Sequence, residues 1–434
     1  MNSRNTALRS RLTAAVALTT ALAGVVAAAP GAAATARSAP TTSAPRQAAG
    51  PGADAEAPGS RGARKPLTQR QLQRAVERTL REAGYVNISV ELRDGRRHIG
   101  ARAGEAKLNT GRPVPRGASF RAGSVTKTFV ATVIMQLVAE GQLALDDTVE
   151  EWLPGLVAGK GNDGRRITIK NLLQHTSGLH NYDITEDIGE TAADFERTRF
   201  LHIEPRRLIA GAVKHEPDFP AADPNDPAPK WKYNNPGYVL LGMIIEKATG
   251  HPWGEEVKRR ITKPLKLKGT YAPGDDPYLR GPHAHTYHVF PGSKGWTDTT
   301  TRNMTWGDAA GAMVTTERDV NRFYTQLLTG RLLPAAQLKQ MRAVVPVSEE
   351  FDEVMPDLQY GLGLMRQPLT CGGVRWGHGG DIDGGVVRTG FTADGKRGVV
   401  IAASGKKVDY DHLIKAERAF QGLVNQALCG PDTR

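Results

Sequence analysis

The polar and apolar positions after Leu67 predict a helix followed by two strands. Leu72, Val76 and Leu80 recur every four residues, which is the spacing of one buried face of a helix over residues 68–84. Apolar and polar residues then alternate over 86–92, and the Asp-Gly pair that follows is typical of a tight hairpin turn. The first elements are therefore predicted to be a helix and a β-hairpin.

The C-terminal part repeats these signals in reverse order. Predicted strands over 386–392 and 398–403 flank a second Asp-Gly pair, and a helix is predicted over 411–428. The region between, roughly 124–345, has mainly helical periodicity. Strands at both ends of the chain with a helical insert indicate an α/β (α+β) fold, in which one antiparallel sheet is flanked by the N- and C-terminal helices and carries an all-α lobe.

The first 66 residues differ from this pattern. A short basic stretch, an uncharged apolar segment and an A-x-A site before Arg37 predict a signal peptide over 1–36. A membrane anchor is the alternative, since the segment approaches spanning length. Residues 37–66 are rich in Ala, Pro and Gly, which predicts a flexible linker. We expect a secreted, extracellular protein with no membrane span after signal cleavage, and a folded domain over 67–430.

Composition refines this picture. The chain has 434 residues, 39% hydrophobic and 24% charged, as expected for a soluble globular protein. Its formal charge of +12 is concentrated at one end, because residues 1–65 hold eight basic and two acidic side chains. With no phosphate loop or basic-aromatic array, a nucleic-acid partner is not expected. The 364 residues of 67–430 suit one catalytic unit of two interwoven lobes.

The first chemical signal is Ser124, three residues before Lys127 and directly before the apolar helical run 129–138. This spacing places both side chains on one face of a helix N-terminus. A lysine amine beside a serine can activate the hydroxyl, and the helix N-terminus favours developing negative charge. The alternative is an N-cap serine with a surface lysine. A second Ser-x-x-Lys over 404–407 has no helix directly behind it.

Two further tripeptides have the chemistry to complete such a site. Tyr233 and Asn235 lead into an apolar helix. A tyrosine facing a lysine is expected to have a lowered pKa and to relay a proton, while asparagine can bind a substrate amide. His378 and Gly380 lie where a predicted strand enters a glycine-rich turn, and an exposed strand edge there could hold an extended peptide.

Ser-x-x-Lys, Tyr-x-Asn and His-x-Gly, in this order, resemble the serine β-lactamase and DD-peptidase superfamily, most closely the branch of class C β-lactamases, secreted DD-carboxypeptidases and related esterases. The resemblance implies a β-lactamase/transpeptidase-like fold and an acyl-enzyme reaction. It implies that Ser124 is the nucleophile, Lys127 its activating partner and Tyr233 the proton shuttle.

The same resemblance extends to substrate contacts. It implies that Asn235, His378 and Gly380 bind substrate, and that the backbone N–H groups of Ser124 and Asp381 form the oxyanion hole. It also implies a disulfide between the two cysteines, Cys371 and Cys429. No cofactor and no metal are expected, since the His-rich run 283–288 lacks further ligands and is interpreted as a loop.

Three charged residues, Asp381, Asp383 and Arg388, lie in or near the third motif, where they could contact a substrate. Asp381 and Asp383 could favour substrates that bear an ammonium group, or they could point outward or cap the turn. Arg388 could bind a substrate carboxylate. His175 is expected to satisfy backbone groups of a turn rather than to act as a base.

We therefore predict a secreted serine hydrolase for D-amino-acid-containing peptides, first of all a D-alanyl-D-alanine carboxypeptidase. An esterase or β-lactamase using the same site is the first alternative, and the absence of Lys-Thr-Gly weakens the β-lactamase. A non-catalytic penicillin- or peptide-binding protein is the second. The expected partners are a peptide or peptidoglycan-stem substrate and β-lactams, and the chain is expected to be a monomer.

Overall fold

The computed structural model describes residues 65–182, 185–223 and 225–431. The predicted signal peptide and nearly all of the predicted linker lie outside these residues. The helices are α1 Gln69–Ala83, α2 Thr126–Ala139, α3 Val149–Trp152, α4 Ile169–Gln174, α5 Thr185–Ile188, α6 Ala192–Thr198, α7 Pro205–Val213, α8 Pro236–Thr249, α9 Trp253–Val257, α10 Asp308–Gly311, α11 Glu317–Leu328, α12 Ala335–Met341, α13 Glu349–Val354 and α14 Tyr410–Cys429.

Short strands accompany the long ones. They are β1 Asn87–Asp94, β2 Arg97–Gly104, β3 Phe120–Arg121, β4 Ala158–Gly159, β5 Asn162–Asp163, β6 Tyr287–Val289, β7 Thr297–Asp298, β8 Val314–Thr315, β9 Val345–Pro346, β10 Gln359–Tyr360, β11 Met365–Pro368, β12 Val374–Gly377, β13 Gly380–Ile382, β14 Gly385–Thr392, β15 Arg397–Ser404 and β16 Lys406–Lys407.

The main sheet has nine antiparallel strands in the order β2-β1-β15-β14-β12-β11-β10-β9, and β13 pairs with β14. Both predicted hairpins are present, as β1–β2 and β14–β15. The first and last hairpins meet through β1 and β15, with Val90 opposite Ile401. The first and the last hairpin thus lie side by side in one sheet, with β2 at its edge.

Terminal helices cover one face of this sheet. Helix α1 begins with a capping box between Thr68 and Gln71 and ends at Gly84 in the left-handed conformation. Its buried face packs with α14 over the sheet residues that include Val90. Helix α11 lies against β1 and β15 on the opposite face.

The second lobe is built around α2. Eleven of its fourteen residues are buried, so the helix has no solvent face, and its apolar residues pack with α8 and α10. Such complete burial explains the uninterrupted apolar run that follows Lys127 in the sequence.

The predicted fold class is confirmed, with an antiparallel sheet, flanking terminal helices and a helical lobe. The structure adds strands β9 to β11, which the sequence analysis did not locate. A disulfide joins Cys371, in the loop before β12, to Cys429 at the end of α14. Among the described residues, no helix combines the length and apolar character needed to cross a bilayer.

Candidate active site

Ser124 lies in a short 3₁₀ turn, Gly123–Val125, that leads directly into α2. Gly123 has a φ of +51°, and a Cβ added to it would stand 2.8 Å from the backbone nitrogen of Asp381. Glycine is therefore required both by the conformation and by the close approach of the two chain segments. The turn places the Ser124 side chain at the mouth of a cleft.

Lys127 is fully buried and its amine makes three contacts. The Nζ atom lies 3.1 Å from Ser124 Oγ, 2.8 Å from Asn235 Oδ1 and 2.8 Å from the carbonyl oxygen of Ala310. Burial lowers the pKa of Lys127 well below its ordinary value. A neutral amine donates its two hydrogens to the two carbonyl-type oxygens, which leaves its lone pair for the Ser124 hydroxyl.

Tyr233 faces the same pair of residues. Its ring centroid is 4.8 Å from Lys127 Nζ. The expectation of a lowered tyrosine pKa is wrong, because burial raises the pKa of Tyr233 and outweighs the opposing effect of the Ser124 side chain. Tyr233 is therefore a neutral hydroxyl at ordinary pH, which suits a group that both accepts and donates a proton.

Asn235 precedes α8 and is held from two sides. Its backbone nitrogen donates to Asn181 Oδ1 at 3.0 Å, and its own Oδ1 accepts from Lys127. The side-chain amide nitrogen is then the part that can donate to a substrate carbonyl.

His175 supports this segment. It ends α4 with a φ of +62°, and its Nδ1 accepts from the backbone nitrogen of Asn234 at 3.4 Å. Its ring packs 4.3 Å from that of Tyr233. The prediction that His175 satisfies turn backbone groups is confirmed.

His378 sits between β12 and β13 with both ring nitrogens occupied. Nδ1 lies 2.6 Å from the Gly379 carbonyl oxygen and so must carry the hydrogen, while Nε2 accepts from the Tyr360 hydroxyl at 2.9 Å. Burial lowers the pKa of His378 to about 3, which keeps the ring neutral. The third motif therefore lines the cleft with backbone groups and a neutral imidazole ring, and it adds no positive charge.

The direction of the Asp381 N–H follows from the register of β13. Ile382 and Gly385 pair across a two-residue loop, so Asp381 and Val386 form the next, non-hydrogen-bonded pair. The N–H of Asp381 consequently points away from β14, towards the Ser124 turn. A Cβ added to Gly380 would stand 2.1 Å from the Ala122 carbonyl oxygen, which shows how tightly the two segments meet.

The side chains of the charged residues near this motif are held in ion pairs. Asp381 is buried and its carboxylate bonds to Arg388 Nη1 at 2.8 Å and to Lys406 Nζ at 3.1 Å. The ammonium-binding hypothesis for Asp381 is therefore wrong, and so is the outward-pointing alternative. Asp383 pairs with Arg302. Arg388 also pairs with Glu417 at 2.7 Å, so it is not a carboxylate clamp.

The cleft has one apolar wall. The cleft is open to solvent and runs from Ser124 past the third motif. The segment that contains α13 and β11 provides the apolar side chains Phe351, Met355, Leu358 and Met365. The ring of Phe351 stacks on that of Tyr233 with centroids 5.7 Å apart.

Several other sequence signals do not converge on the cleft. Ser404 bonds to backbone groups of the β6 region instead of to a lysine. In the part of the chain that the structure describes, no group of His, Cys, Asp and Glu side chains could hold a metal ion, and the 283–288 run includes strand β6. The carbonyl of Ala310 and the partners of Asp381 were missed, since neither has a local sequence pattern.

Comparisons with known proteins agree with this geometry. A family-level sequence model described as Beta-lactamase matches residues 72–423. The chain is 34% identical over 165 residues to Penicillin-binding protein 4 of Amycolatopsis lactamdurans and 31% identical over 212 residues to Esterase EstB of Burkholderia gladioli. The matched segments span only 39% and 50% of those relatives.

Solved structures match more of the chain. A D-stereospecific amidohydrolase from a Streptomyces species is 38% identical, with a TM-score of 0.71 that covers 81% of this chain and 98% of that one. The D-amino acid amidase of Ochrobactrum anthropi SV3 is 23% identical with a TM-score of 0.68 and covers 83% of this chain and 97% of its own, which supports the fold.

Proposed function

We propose a function for this chain on the premise that it belongs to the Beta-lactamase family and is a serine-hydrolase-type enzyme. The protein is secreted, and it cleaves amides and peptides of D-amino acids through an acyl-enzyme on Ser124. The observation that carries the proposal is the Ser124 hydroxyl 3.1 Å from a buried Lys127 amine. The resemblance inferred from the three motifs is thereby confirmed at the level of the family.

The chemistry follows from these contacts. The Lys127 lone pair accepts the Ser124 proton as the serine oxygen bonds to the substrate carbonyl carbon. The resulting oxyanion is held by the N–H groups of Ser124 and Asp381. Tyr233 gives its proton to the leaving nitrogen and regains one through Lys127, so the carbon–nitrogen bond breaks with charge balanced. Water then releases the acyl group by the same path in reverse.

The two arginines of the cleft bear on the substrate class. Among the described residues that line the cleft, Arg388 is paired with the carboxylates of Asp381 and Glu417, and Arg375 is buried and donates to Gln367 and Gln421. A free carboxylate on the leaving group would therefore meet no exposed arginine, and desolvating it would cost binding free energy. This favours an amide or neutral peptide leaving group, and the D preference rests on the Streptomyces relative.

A D-alanyl-D-alanine carboxypeptidase is the second candidate. It is favoured by the relatives named as penicillin-binding proteins, which are 34% and 32% identical over their matched segments. Secretion rests on the predicted signal peptide and on the Cys371–Cys429 disulfide, which an oxidising compartment would allow to form.

One set of assays tests these alternatives. Turnover of a D-amino-acid amide, its L enantiomer, a D-Ala-D-Ala peptide, nitrocefin and p-nitrophenyl acetate is measured for the wild type, Ser124→Ala and the control Ser404→Ala. We expect the D-amide to be the best substrate, with activity lost in Ser124→Ala and kept in Ser404→Ala. Full activity of Ser124→Ala would refute the mechanism, and preference for the D-Ala-D-Ala peptide would select the carboxypeptidase. Acylation without turnover would indicate a binding protein.

A further inference from the structure

Strand β13 carries half of the oxyanion hole but has little support of its own. It contains three residues and pairs with β14 on one side only, while its other edge faces the Ser124 turn. A three-residue strand joined by a two-residue loop is held by few backbone hydrogen bonds. Side-chain interactions must therefore contribute to fixing the direction of the Asp381 N–H.

The Asp381 side chain provides such interactions on the face of the sheet opposite Ile382. Ile382 belongs to the core of the helical lobe, and alternation along the strand directs Asp381 to the face covered by α14. There its carboxylate accepts from Arg388 and Lys406, whose side chains are 7% and 2% exposed. Low exposure makes these charge-assisted bonds strong and poorly screened.

Arg388 extends the cluster to the surrounding elements. Its Nη1 also donates to the Val387 carbonyl at 2.9 Å and reaches the Gly380 carbonyl at 3.4 Å. Its other side contacts Glu417 on α14 at 2.7 Å. Strands β13, β14 and β16 and helix α14 are thus tied together at the residue that supplies the oxyanion donor.

The charges of the cluster balance. A carboxylate directly behind the oxyanion position would oppose negative charge on the substrate, but two cations and a second carboxylate accompany it. Removing one member therefore alters both the anchoring of β13 and the potential at the oxyanion. The cluster therefore affects the reaction as well as the stability of the buried strand.

We propose that Asp381, Arg388, Lys406 and Glu417 form a positioning cluster that aims the Asp381 N–H at the substrate oxyanion. The inference rests on the proposed function, since it requires attack on a carbonyl by Ser124. Arg388, Lys406 and Glu417 are positioning residues, because they act through the backbone of Asp381.

A sulfur-for-oxygen substitution tests this role. Sulfur is larger and accepts hydrogen bonds weakly, so a thionoester gains little from an oxyanion hole. The ratio of kcat/KM for p-nitrophenyl acetate to that for O-p-nitrophenyl thioacetate therefore reports the aim of the donors. Both values of kcat/KM are proportional to the concentration of folded enzyme, so their ratio does not depend on the fraction that is folded.

Lys406→Met is the main variant, because Lys406 Nζ bonds to Asp381 and methionine fills similar space. We expect the oxygen-to-sulfur ratio to fall about tenfold or more, as partial loss of a donor predicts. Lys407→Met, the neighbour whose amine lies 5.8 Å from the Trp296 ring, should leave the ratio unchanged. An unchanged ratio in folded Lys406→Met would overturn the proposal.

A charge-matched double variant extends the test. Asp381→Asn with Lys406→Met removes one anion and one cation, so net charge is preserved while the bond between them is lost. We expect its ratio to stay low, and recovery to the wild-type ratio would contradict positioning and indicate a net-charge effect. Release of p-nitrophenol by Ser124→Ala separates the failure of the cluster from the failure of the proposed function. Undiminished release by Ser124→Ala refutes the proposed function, whereas Ser124-dependent release with an unchanged ratio in Lys406→Met refutes only the cluster.

Discussion

Replacing Glu317 with glutamine should remove a pH dependence from the stability of the protein. Glu317 is the first residue of α11, is 5% exposed, and its carboxyl contacts the Ser89 hydroxyl on β1. Burial raises its pKa from 4.5 to about 7. One pKa unit corresponds to about 1.36 kcal/mol, so this difference is worth about 3 kcal/mol.

The sign follows from which state binds the proton. Below pH 4.5 Glu317 is protonated in both the folded and the unfolded chain, and its ionisation costs nothing. Between 4.5 and about 7 only the unfolded chain releases the proton, so the free energy of unfolding falls as pH rises. Glutamine cannot ionise and can still bond Ser89. Glu317→Gln should therefore resemble the wild type at low pH and be more stable by about 3 kcal/mol at about pH 8.

Urea denaturation followed by tryptophan fluorescence measures this difference. The wild type, Glu317→Gln and the exposed control Glu353→Gln are compared from about pH 5 to about pH 8. The gap between wild type and Glu317→Gln should widen with pH, while the control follows the wild type. A gap that stays constant across the range would refute the reasoning.

Three further predictions concern the site and the disulfide. Lys127→Met should lower kcat about 10²–10⁴-fold. In the wild type kcat/KM should fall as pH falls through the lowered pKa of Lys127, and in the variant this fall should be absent. Steady-state rates measured across pH test both results. Gly380→Ala should lower kcat/KM about 100-fold because its Cβ meets backbone, whereas Gly422→Ala, with open space around it, should not. Replacing Cys371 and Cys429 by alanine should lower the free energy of unfolding by about 4 kcal/mol, from a separation of 58 residues, without changing KM; equal denaturation curves would contradict this.

Local patterns were sufficient for the long elements and for the contact between Ser124 and Lys127. The period-four spacing before Gly84 and the two Asp-Gly turns identify α1 and both hairpins, because these elements are determined by neighbouring residues. Ser124 and Lys127 are three apart on one turn, so their contact is also local.

Other features depend on residues far apart in the chain. Arg388 lies in a buried strand with no acidic residue beside it, and only the folded sheet shows that Asp381 and Glu417 neutralise it. The pKa of Tyr233 was predicted in the wrong direction because proximity to lysine is visible in the motif, whereas the extent of burial is not. Strands β9 and β10 have two residues each, too few for any periodicity.

The apolar wall of the cleft comes from one continuous stretch, 351–365, while the proposed reacting groups come from the start of α2 and the turn before it, from the segment before α8 and from the sheet. Substrate choice and bond-breaking are therefore encoded in separate parts of the gene. Because α2 is buried on every side, changes there would disturb the core, whereas the 351–365 stretch can vary along one side of the cleft. Recombination that exchanges this stretch between relatives, with Tyr360 kept as the partner of His378, offers a route to new specificities.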